Sequence, residues 1–230
     1  MKKFFVTVGV AIATVFTAQA QELKFGVKAG LNIATLSSSI NEANGTEKLV
    51  SEFNESYKTG YHIGAFAELG LSEKLFLEAG LGYTAQGAKY KSADLKVYSN
   101  GNLVETVKAD FKDAYTNVGL ITLPVWIKYD ISGFRPKAGI SLGYAVNSKT
   151  SVWDKESTSA EVITKTKSAF DFGLGVGAEY NLPFGLFFDA TFNFGLTSLS
   201  QETPKDKDGT ANADFKFKNR VFQIGVGYKF

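Results

Sequence analysis

Eight segments of this 230-residue chain alternate between apolar residues and small or polar ones, and this pattern constrains the fold more than any other feature. In segment 25–33, every odd-numbered residue is apolar, whereas the even-numbered residues are glycine, lysine or asparagine. A period of two sustained over several residue pairs predicts a β-strand. None of the apolar faces carries a charge. The eight segments are 25–33, 61–71, 75–85, 121–129, 138–146, 170–180, 186–196 and 222–230.

The opposite faces of these strands are rich in glycine, holding 14 of the 23 glycines in the chain. Glycine is a poor strand residue because it costs backbone entropy and packs nothing. It suits the inner wall of a narrow barrel, where space is short. We therefore expect the glycine face to point inward and the apolar face to point outward into lipid, because a closed barrel leaves no backbone group unpaired.

Allowing the strands to run a few residues past these segments, the connections between them alternate between long and short, at roughly 20, 3, 27, 5, 20, 4 and 19 residues. Outer-membrane barrels have long extracellular loops and short periplasmic turns. The pattern predicts an all-β fold, an eight-stranded antiparallel up-and-down transmembrane β-barrel of the OmpX and OmpA type, with both termini on the periplasmic side. A soluble barrel of the lipocalin kind, with its faces inverted, is the alternative.

The first twenty residues have the composition of a targeting segment. A cationic start, Met1–Lys3, precedes an uncharged apolar run over 4–16, and Ala18 and Ala20 form an A-x-A cleavage site. This indicates a secretory signal peptide over 1–20, since the run is short of the ~20 residues that a spanning helix needs. Residues 21–230 are then one barrel domain, and loss of Lys2 and Lys3 leaves it formally neutral.

Composition excludes several classes of function. The chain has no cysteine and one histidine, so disulfides, thiolate metal sites and the common zinc sites are excluded. A neutral mature chain does not favour nucleic acid as a partner. Segment Asp206–Gly209 resembles part of a calcium loop, but Pro204 and Phe215 occupy ligand positions. We expect no metal and no cofactor.

Inward-facing charges cluster in the periplasmic half of the predicted barrel. Because buried charges persist only when they are paired, we interpret them as a structural plug; a gated conduit or proton path is the alternative. The expected pairs are Glu78–Lys128, Lys137–Glu179, Asp189–Lys229 and Lys28–Glu68. The full set is Lys24, Lys28, Glu68, Glu78, Lys128, Lys137, Glu179, Asp189 and Lys229.

The extracellular half of the lumen is predicted to be polar and mostly uncharged, with Asp171 as the exception. It forms either a shallow water-filled vestibule or a site for a small ligand. His62 invites comparison with outer-membrane lipid hydrolases, but it points inward, away from lipid, so we expect no enzyme. The other predicted lining residues are Asn32, Gly64, Gly82, Thr84, Gln86, Thr122, Ser141, Gly143, Asn147, Gly173, Thr191, Asn193 and Gln223.

The predicted extracellular loops offer sites for recognition. Loop one, Ser37–Ser56, is acidic. Loop two, Ala88–Ala114, contains Asn100-Gly101 between extended segments, which signals a hairpin that extends the third and fourth strands above the membrane.

Four stretches resemble the PorT-like outer-membrane β-barrel family, which is common in Bacteroidetes. The resemblance covers the whole mature chain and implies a Gram-negative cell outer membrane, porin-like architecture and no catalytic motif. One member of that family serves type IX secretion. The stretches are Lys24–Asn32, Leu123–Tyr129, Phe170–Gly177 and Phe222–Phe230.

Two functional hypotheses remain open. The first is a surface scaffold whose loops bind an extracellular protein or glycan; the second is an accessory of protein secretion or envelope assembly. A narrow pore and a lipid-modifying enzyme are further alternatives. Outer-membrane lipid and the barrel-assembly machinery are expected partners. The assembly machinery recognises an amphipathic last strand that ends in an aromatic residue. That assembly signal comprises Phe222, Ile224, Val226, Tyr228 and Phe230.

Overall fold

The structure is a computed structural model that describes residues 22–44, 47–152, 160–162, 166–168, 170–197, 200–201 and 213–230. The predicted signal peptide and the possible calcium loop lie outside the described residues. Eight strands build the molecule: β1 Leu23–Asn44, β2 Glu47–Gly70, β3 Leu75–Ser99, β4 Asn102–Tyr129, β5 Phe134–Val152, β6 Phe170–Asn181, β7 Leu186–Gly195 and β8 Ala213–Lys229.

Each of these strands pairs antiparallel with its neighbours in sequence, and β8 pairs with β1, so the ring is closed. The closing seam runs from Gly26 opposite Lys229 to Glu42 opposite Ala213. Three short segments, Ala160–Val162, Thr166–Ser168 and Ser200–Gln201, accompany the ring. No helix in the described part of the chain is long and apolar enough to cross a membrane. The eight-stranded up-and-down architecture is as predicted.

Four-residue turns join the strands at the periplasmic end, over 71–74, 130–133 and 182–185. Glycines take the left-handed conformation in two of them, Gly133 at φ 89° and Gly185 at φ 92°. At the other end, Asn100 at φ 52° and Gly101 at φ 80° connect β3 to β4. Positive φ at both central residues is typical of a type I′ turn, so the predicted Asn-Gly hairpin is confirmed.

The predicted extension of the third and fourth strands through loop two is confirmed, whereas the prediction of loop one is wrong in extent, because strands continue through that segment as well. β1 to β4 are 22, 24, 25 and 28 residues long, whereas a transmembrane strand needs about 9–11. Residues expected in loops one and two therefore pair as a curved wall above the membrane, and only 45–46 and 100–101 lie between those strands. These segments are too polar for lipid, but antiparallel pairing with their neighbours satisfies their backbone groups there.

The outer surface of the membrane-spanning part is apolar and exposed, as the alternation predicts. Leu31, Ile63, Leu81 and Val176 are each more than half exposed, a condition that suits lipid rather than water. The five side chains of the proposed assembly signal also face outward on β8. The Phe230 amide donates to the Phe25 carbonyl at 2.9 Å, which fixes the last residue against the first strand.

Glycine on the inner wall lets neighbouring strands approach closely. A Cβ on Gly30 would overlap the Ile224 carbonyl oxygen at the closing seam and press on the His62 ring. We therefore predict that Gly30→Val costs about 3 kcal/mol of stability or prevents closure. Ala29→Val, one residue away on the exposed lipid face, should be nearly neutral. Heat-modifiable gel mobility and unfolding in denaturant measure both; equal stability of the two variants would contradict the steric argument.

Candidate functional site

The periplasmic half of the lumen is built around Lys128 of β4. Its ammonium lies 2.7 Å from Glu68 Oε2 and 2.7 Å from Glu179 Oε2, and it also donates to Glu78. These carboxylates come from β2, β6 and β3, so one cation ties four strands together. All four side chains are at most 1 % exposed.

Two further lysines extend this layer. Lys229 of β8 contacts Glu68 at 2.8 Å and Glu179 at 2.6 Å. Lys28 of β1 contacts Glu78 at 2.9 Å. Each glutamate therefore accepts from at least two cations, which is the condition under which a buried carboxylate is tolerated.

Arg135 covers the periplasmic side of the layer. Its Nη1 lies 2.9 Å from Glu68 Oε1, its Nε pairs with Asp130, and its guanidinium stacks 3.9 Å from the Phe76 ring centroid. The Gly133 amide donates to Asp130 at 3.0 Å. Burial raises the pKa of Asp130, but the hydrogen bonds from Gly133 and Arg135 outweigh it, so the pKa lies below its usual value.

A separate ion pair joins Lys137 to Asp189, whose other oxygen accepts from the Thr191 hydroxyl at 3.0 Å. Counting this pair, the layer is neutral, because five cations meet five carboxylates. The cations are Lys28, Lys128, Arg135, Lys137 and Lys229, and the carboxylates are Glu68, Glu78, Asp130, Glu179 and Asp189.

The structure places the predicted network residues together but pairs most of them differently. Glu78–Lys128 is present, whereas Lys137 bonds Asp189, Lys229 bonds Glu68 and Glu179, and Lys28 bonds Glu78. The reason is register: like charges stand directly opposite each other on neighbouring strands, so the bonds cross the lumen instead. The like-charged pairs are Glu68 with Glu78, Lys128 with Lys137, and Glu179 with Asp189.

Lys24 was expected in the network and lies outside it. Its ammonium is 3.1 Å from Glu22, and its side chain is 41 % exposed. The residue follows directly on the first residue of β1, so its side chain reaches the periplasmic mouth rather than the lumen. Arg135, which the sequence assigned to a turn, takes a place in the layer instead.

Three aromatic rings point inward among the charges, and sequence reasoning missed them. The Lys28 and Lys128 ammoniums lie 5.6 and 5.5 Å from the Phe66 ring centroid. Phe187 packs edge-on against Phe66 at 5.7 Å, and Lys137 lies 4.8 Å from the ring of Trp126. Such cation–π contacts are worth most where water is excluded.

Glycines make room for these rings. A Cβ on Gly26 would overlap Phe66, one on Gly227 would overlap Phe187, and one on Gly175 would overlap Trp126. An aromatic residue at an inward position is the signal that could have revealed this packing.

Above the ionic layer, a hydrogen-bond chain crosses the lumen through Asn32. The Asn32 amide nitrogen donates to Thr84 Oγ1 at 2.8 Å, and its oxygen lies 2.8 Å from His62 Nδ1 and 3.0 Å from Gln223 Nε2. Asn193 donates in turn to Gln223 at 2.9 Å. Because an amide oxygen only accepts, this network assigns the proton to Nδ1 of His62 and leaves Nε2 as an acceptor.

A cavity of about 90 Å³ lies over this chain. It is polar and large enough to hold water. Its wall includes most of the predicted lining residues, among them His62, Gln86, Thr122 and Asp171. Asp171 accepts from Asn219 Nδ2 at 2.7 Å at the rim.

Asn147 was predicted to line the lumen, but it faces outward. Its side chain is exposed, and its Nδ2 donates to Tyr83 Oη on the outer wall at 3.3 Å. The cause is a β-bulge: Gly119 pairs with Asn147, yet Leu120 pairs with Ala145, so one extra residue of β5 reverses the alternation.

Within the wall above the membrane, an apolar cluster packs on the inner face. Phe53 meets Tyr90 edge-on at 5.5 Å, and Tyr90 donates to Thr116 Oγ1 at 3.3 Å. The sequence prediction of loops in this region missed the cluster. Its buried members are Leu36, Ala88, Tyr90, Ala114, Val118, Leu120 and Ala145.

The chemistry available to this arrangement is structural. Glu68, Glu78 and Glu179 have carboxylate oxygens within 4.8 Å of one another, a spacing that also occurs in cation sites. Here the Lys128 ammonium bonds all three and occupies the position that a metal ion would need. The layer thus supplies its own cation and blocks the lumen at this level.

The family model of the outer membrane protein beta-barrel domain matches residues 5–230. The chain belongs to this family. It is an outer-membrane protein, and its outward apolar surface, closed strand ring and short periplasmic turns are those of an outer-membrane barrel.

Several solved structures are similar to this chain. The outer membrane protein OprG of Pseudomonas aeruginosa is 14% identical, with coverage of 90% of this chain and 95% of that one and a TM-score of 0.44. A major outer membrane protein of Thermus thermophilus is 16% identical, covering 90% and 99%, with a TM-score of 0.46. Neisserial surface protein A is 13% identical, covering 92% and 100%, with a TM-score of 0.43. The search of curated proteins finds no match.

We predict that Lys128→Met lowers the free energy of unfolding by about 3–5 kcal/mol, because it leaves three buried carboxylates without their shared cation. Lys24→Met makes the same chemical change at the exposed mouth and should stay within about 0.5 kcal/mol. Denaturant unfolding in detergent micelles, followed by gel mobility, measures both variants. A Lys128 variant as stable as the Lys24 variant would show that the ionic layer does not hold the barrel.

Proposed function

We propose that this barrel conducts no ions and acts as a surface scaffold that binds an extracellular protein or glycan through its wall and loops. The observation that carries this proposal is the ionic layer, in which Lys128 and its three carboxylates are buried across the lumen. A closed lumen leaves the extracellular surface as the part of the molecule that is open to partners.

The wall of β1 to β4 supports this proposal. Strand pairing and the apolar cluster make it rigid, and Lys96 pairs with Glu52 at 2.7 Å on its flank. Beyond the Asn100-Gly101 turn, Leu103 and Val104 are 53 % and 65 % exposed. Exposed apolar residues on a rigid, otherwise polar element are typical of a binding surface.

We predict no steady conductance when the protein is inserted into a planar bilayer. Opening a path would require separating Lys128 from three carboxylates, and breaking buried pairs of this kind costs several kcal/mol. The Lys128→Met variant serves as a comparison, provided it inserts with native gel mobility. Steady, ion-selective steps from the unaltered protein would overturn the closed-lumen proposal and favour the narrow-pore alternative.

A trimmed hairpin tests the binding proposal. Removing 94–99 and 102–108 leaves Asn100-Gly101 between Ala93 and Ala109, which already pair in register. The turn and the membrane-spanning strands are kept, and only residues 47–52 of β2 lose their partners on β3. Cells displaying either form are probed with a glycan array and a panel of extracellular matrix proteins. We expect binding by the full protein and at least a tenfold loss on trimming, since removing central contacts costs more than about 1.4 kcal/mol. Absence of binding, or unchanged binding, would contradict the proposal.

The second candidate is an accessory role in secretion, within a PorT-like branch of the family. The four stretches that resemble PorT-like proteins favour it. The small periplasmic surface, three four-residue turns, argues against a large periplasmic partner. Retention of exported proteins in the periplasm after gene deletion, with no change in surface binding, would favour secretion over the scaffold.

We also propose that the protein is not an enzyme. His62 donates from Nδ1 to Asn32 inside the lumen, separated from lipid by the barrel wall. We predict that His62→Ala leaves the lipid composition of the outer membrane unchanged by mass spectrometry. A change in acyl chains or headgroups, matched by deletion of the protein, would reverse this conclusion.

A further inference from the structure

The upper edge of the lipid-facing band can be located along β3. Its outward apolar residues run from Leu75 to Ala85. At about 3.3 Å per residue and a tilt of about 40°, that stretch rises about 25 Å along the barrel axis, which is the height of the apolar band in such barrels. Lys89, four residues beyond Ala85, then lies about 10 Å above the band, at the level of lipid headgroups.

Three lysines on adjacent strands gather at this level on the outer wall. Lys89 and Lys91 of β3 are exposed, and Lys58 of β2 is partly buried. The Lys58 ammonium lies 5.6 Å from the ring centroid of Tyr115 on β4, and Tyr115 stands opposite Lys89 in register. Lys58 and Lys89 are therefore both neighbours of Tyr115, one by its ammonium and the other by strand register. We refer to Lys58, Lys89 and Lys91 as the basic belt.

No ion pair cancels the charge of the basic belt within the described residues. In the described part of the chain, none of its three lysines forms an ion pair; the wall lysine that does so is Lys96, higher up. Burial and the neighbouring charge of Lys89 lower the pKa of Lys58, so an anion placed here would relieve repulsion between the two ammoniums.

The two rims of the barrel differ in charge. Above the band, the outer wall adds exposed Lys218 and Arg220 on β8 to the basic belt. At the periplasmic rim, charges of both signs pair locally, as Lys24 does with Glu22. Within the described residues, the extracellular rim is thus the one complementary to a layer of anions at headgroup height.

From this geometry we infer that the basic belt binds the phosphate groups of outer-leaflet glycolipid, with the acyl chains lying against the apolar band directly below. Such a lipid fits the outer wall at two heights. Its phosphorylated headgroup lies at the height of the lysines, and its hydrocarbon lies at the height of residues such as Leu81. A lysine beside an anionic lipid surface contributes about fivefold in affinity, so three lysines together are worth on the order of 100-fold.

Native mass spectrometry of the protein extracted from outer membranes tests this inference. The probes are bisphosphorylated lipid A and the same lipid A after removal of its phosphates. The triple variant K58Q/K89Q/K91Q is compared with K74Q/K96Q/K108Q, which changes the net charge equally at lysines outside the belt. Gel mobility establishes that both variants fold.

We expect the unaltered protein and the control variant to bind bisphosphorylated lipid A equally, and the belt variant to bind on the order of 100-fold more weakly. Dephosphorylated lipid A should bind all three proteins at that weaker level. Equal affinity of the two variants, or equal affinity for the two lipids, would overturn the inference. A melting temperature raised by inorganic pyrophosphate as much as by lipid A would also overturn it, because the belt would then be a site for free anions.

Discussion

The register of like charges inside the lumen is the constraint on which the rest of the structure depends. Glu68 stands opposite Glu78, and Lys128 stands opposite Lys137, on neighbouring strands. Such pairs repel each other at close range in a low-dielectric interior. The repulsion is offset only because the barrel is narrow enough for Lys128 to reach carboxylates on three other strands. The interior charges are therefore neutralised only when the ring is closed.

The small diameter of the barrel also explains why glycines lie beside aromatic rings on its inner wall. Lipid on the outside demands apolar residues, but the inner wall must hold charges, Phe66, Phe187 and Trp126 within an eight-stranded ring. Glycine at positions such as Gly26 supplies the missing space, since a Cβ there would overlap Phe66. The rings then exclude water from the lysines, which strengthens the ion pairs that they flank.

Period-two alternation was enough to predict the strand number, the outward faces and most residues of the ionic layer, although it wrongly included Lys24 and missed Asp130 and Arg135. It failed wherever an extra residue entered a strand: one bulge in β5 turned Asn147 outward, and the alternation could not foresee it. The ion pairs across the lumen could not be predicted either. The sequence shows which strands are neighbours in the ring, but it does not show which side chains face each other across the lumen. The continuation of β1 and β2 above the membrane was missed, because hydropathy marks where lipid ends and not where strand pairing ends, whereas the Asn100-Gly101 turn signal revealed the continuation of β3 and β4.

The molecule is asymmetric along the membrane normal, and each difference has a physical cause. The periplasmic end closes with four-residue turns and a neutral ionic layer, so it offers little surface to a partner. The extracellular end continues as paired strands with their own apolar core at Leu36 and Leu120, and it carries the lysines of the basic belt on its outer wall. The paired strands of the wall are anchored in the membrane at their base and carry exposed residues such as Leu103 and Val104. The proposed scaffold role joins the two ends of the molecule: an ionic layer buried across the lumen leaves the extended wall as the surface on which a partner would bind.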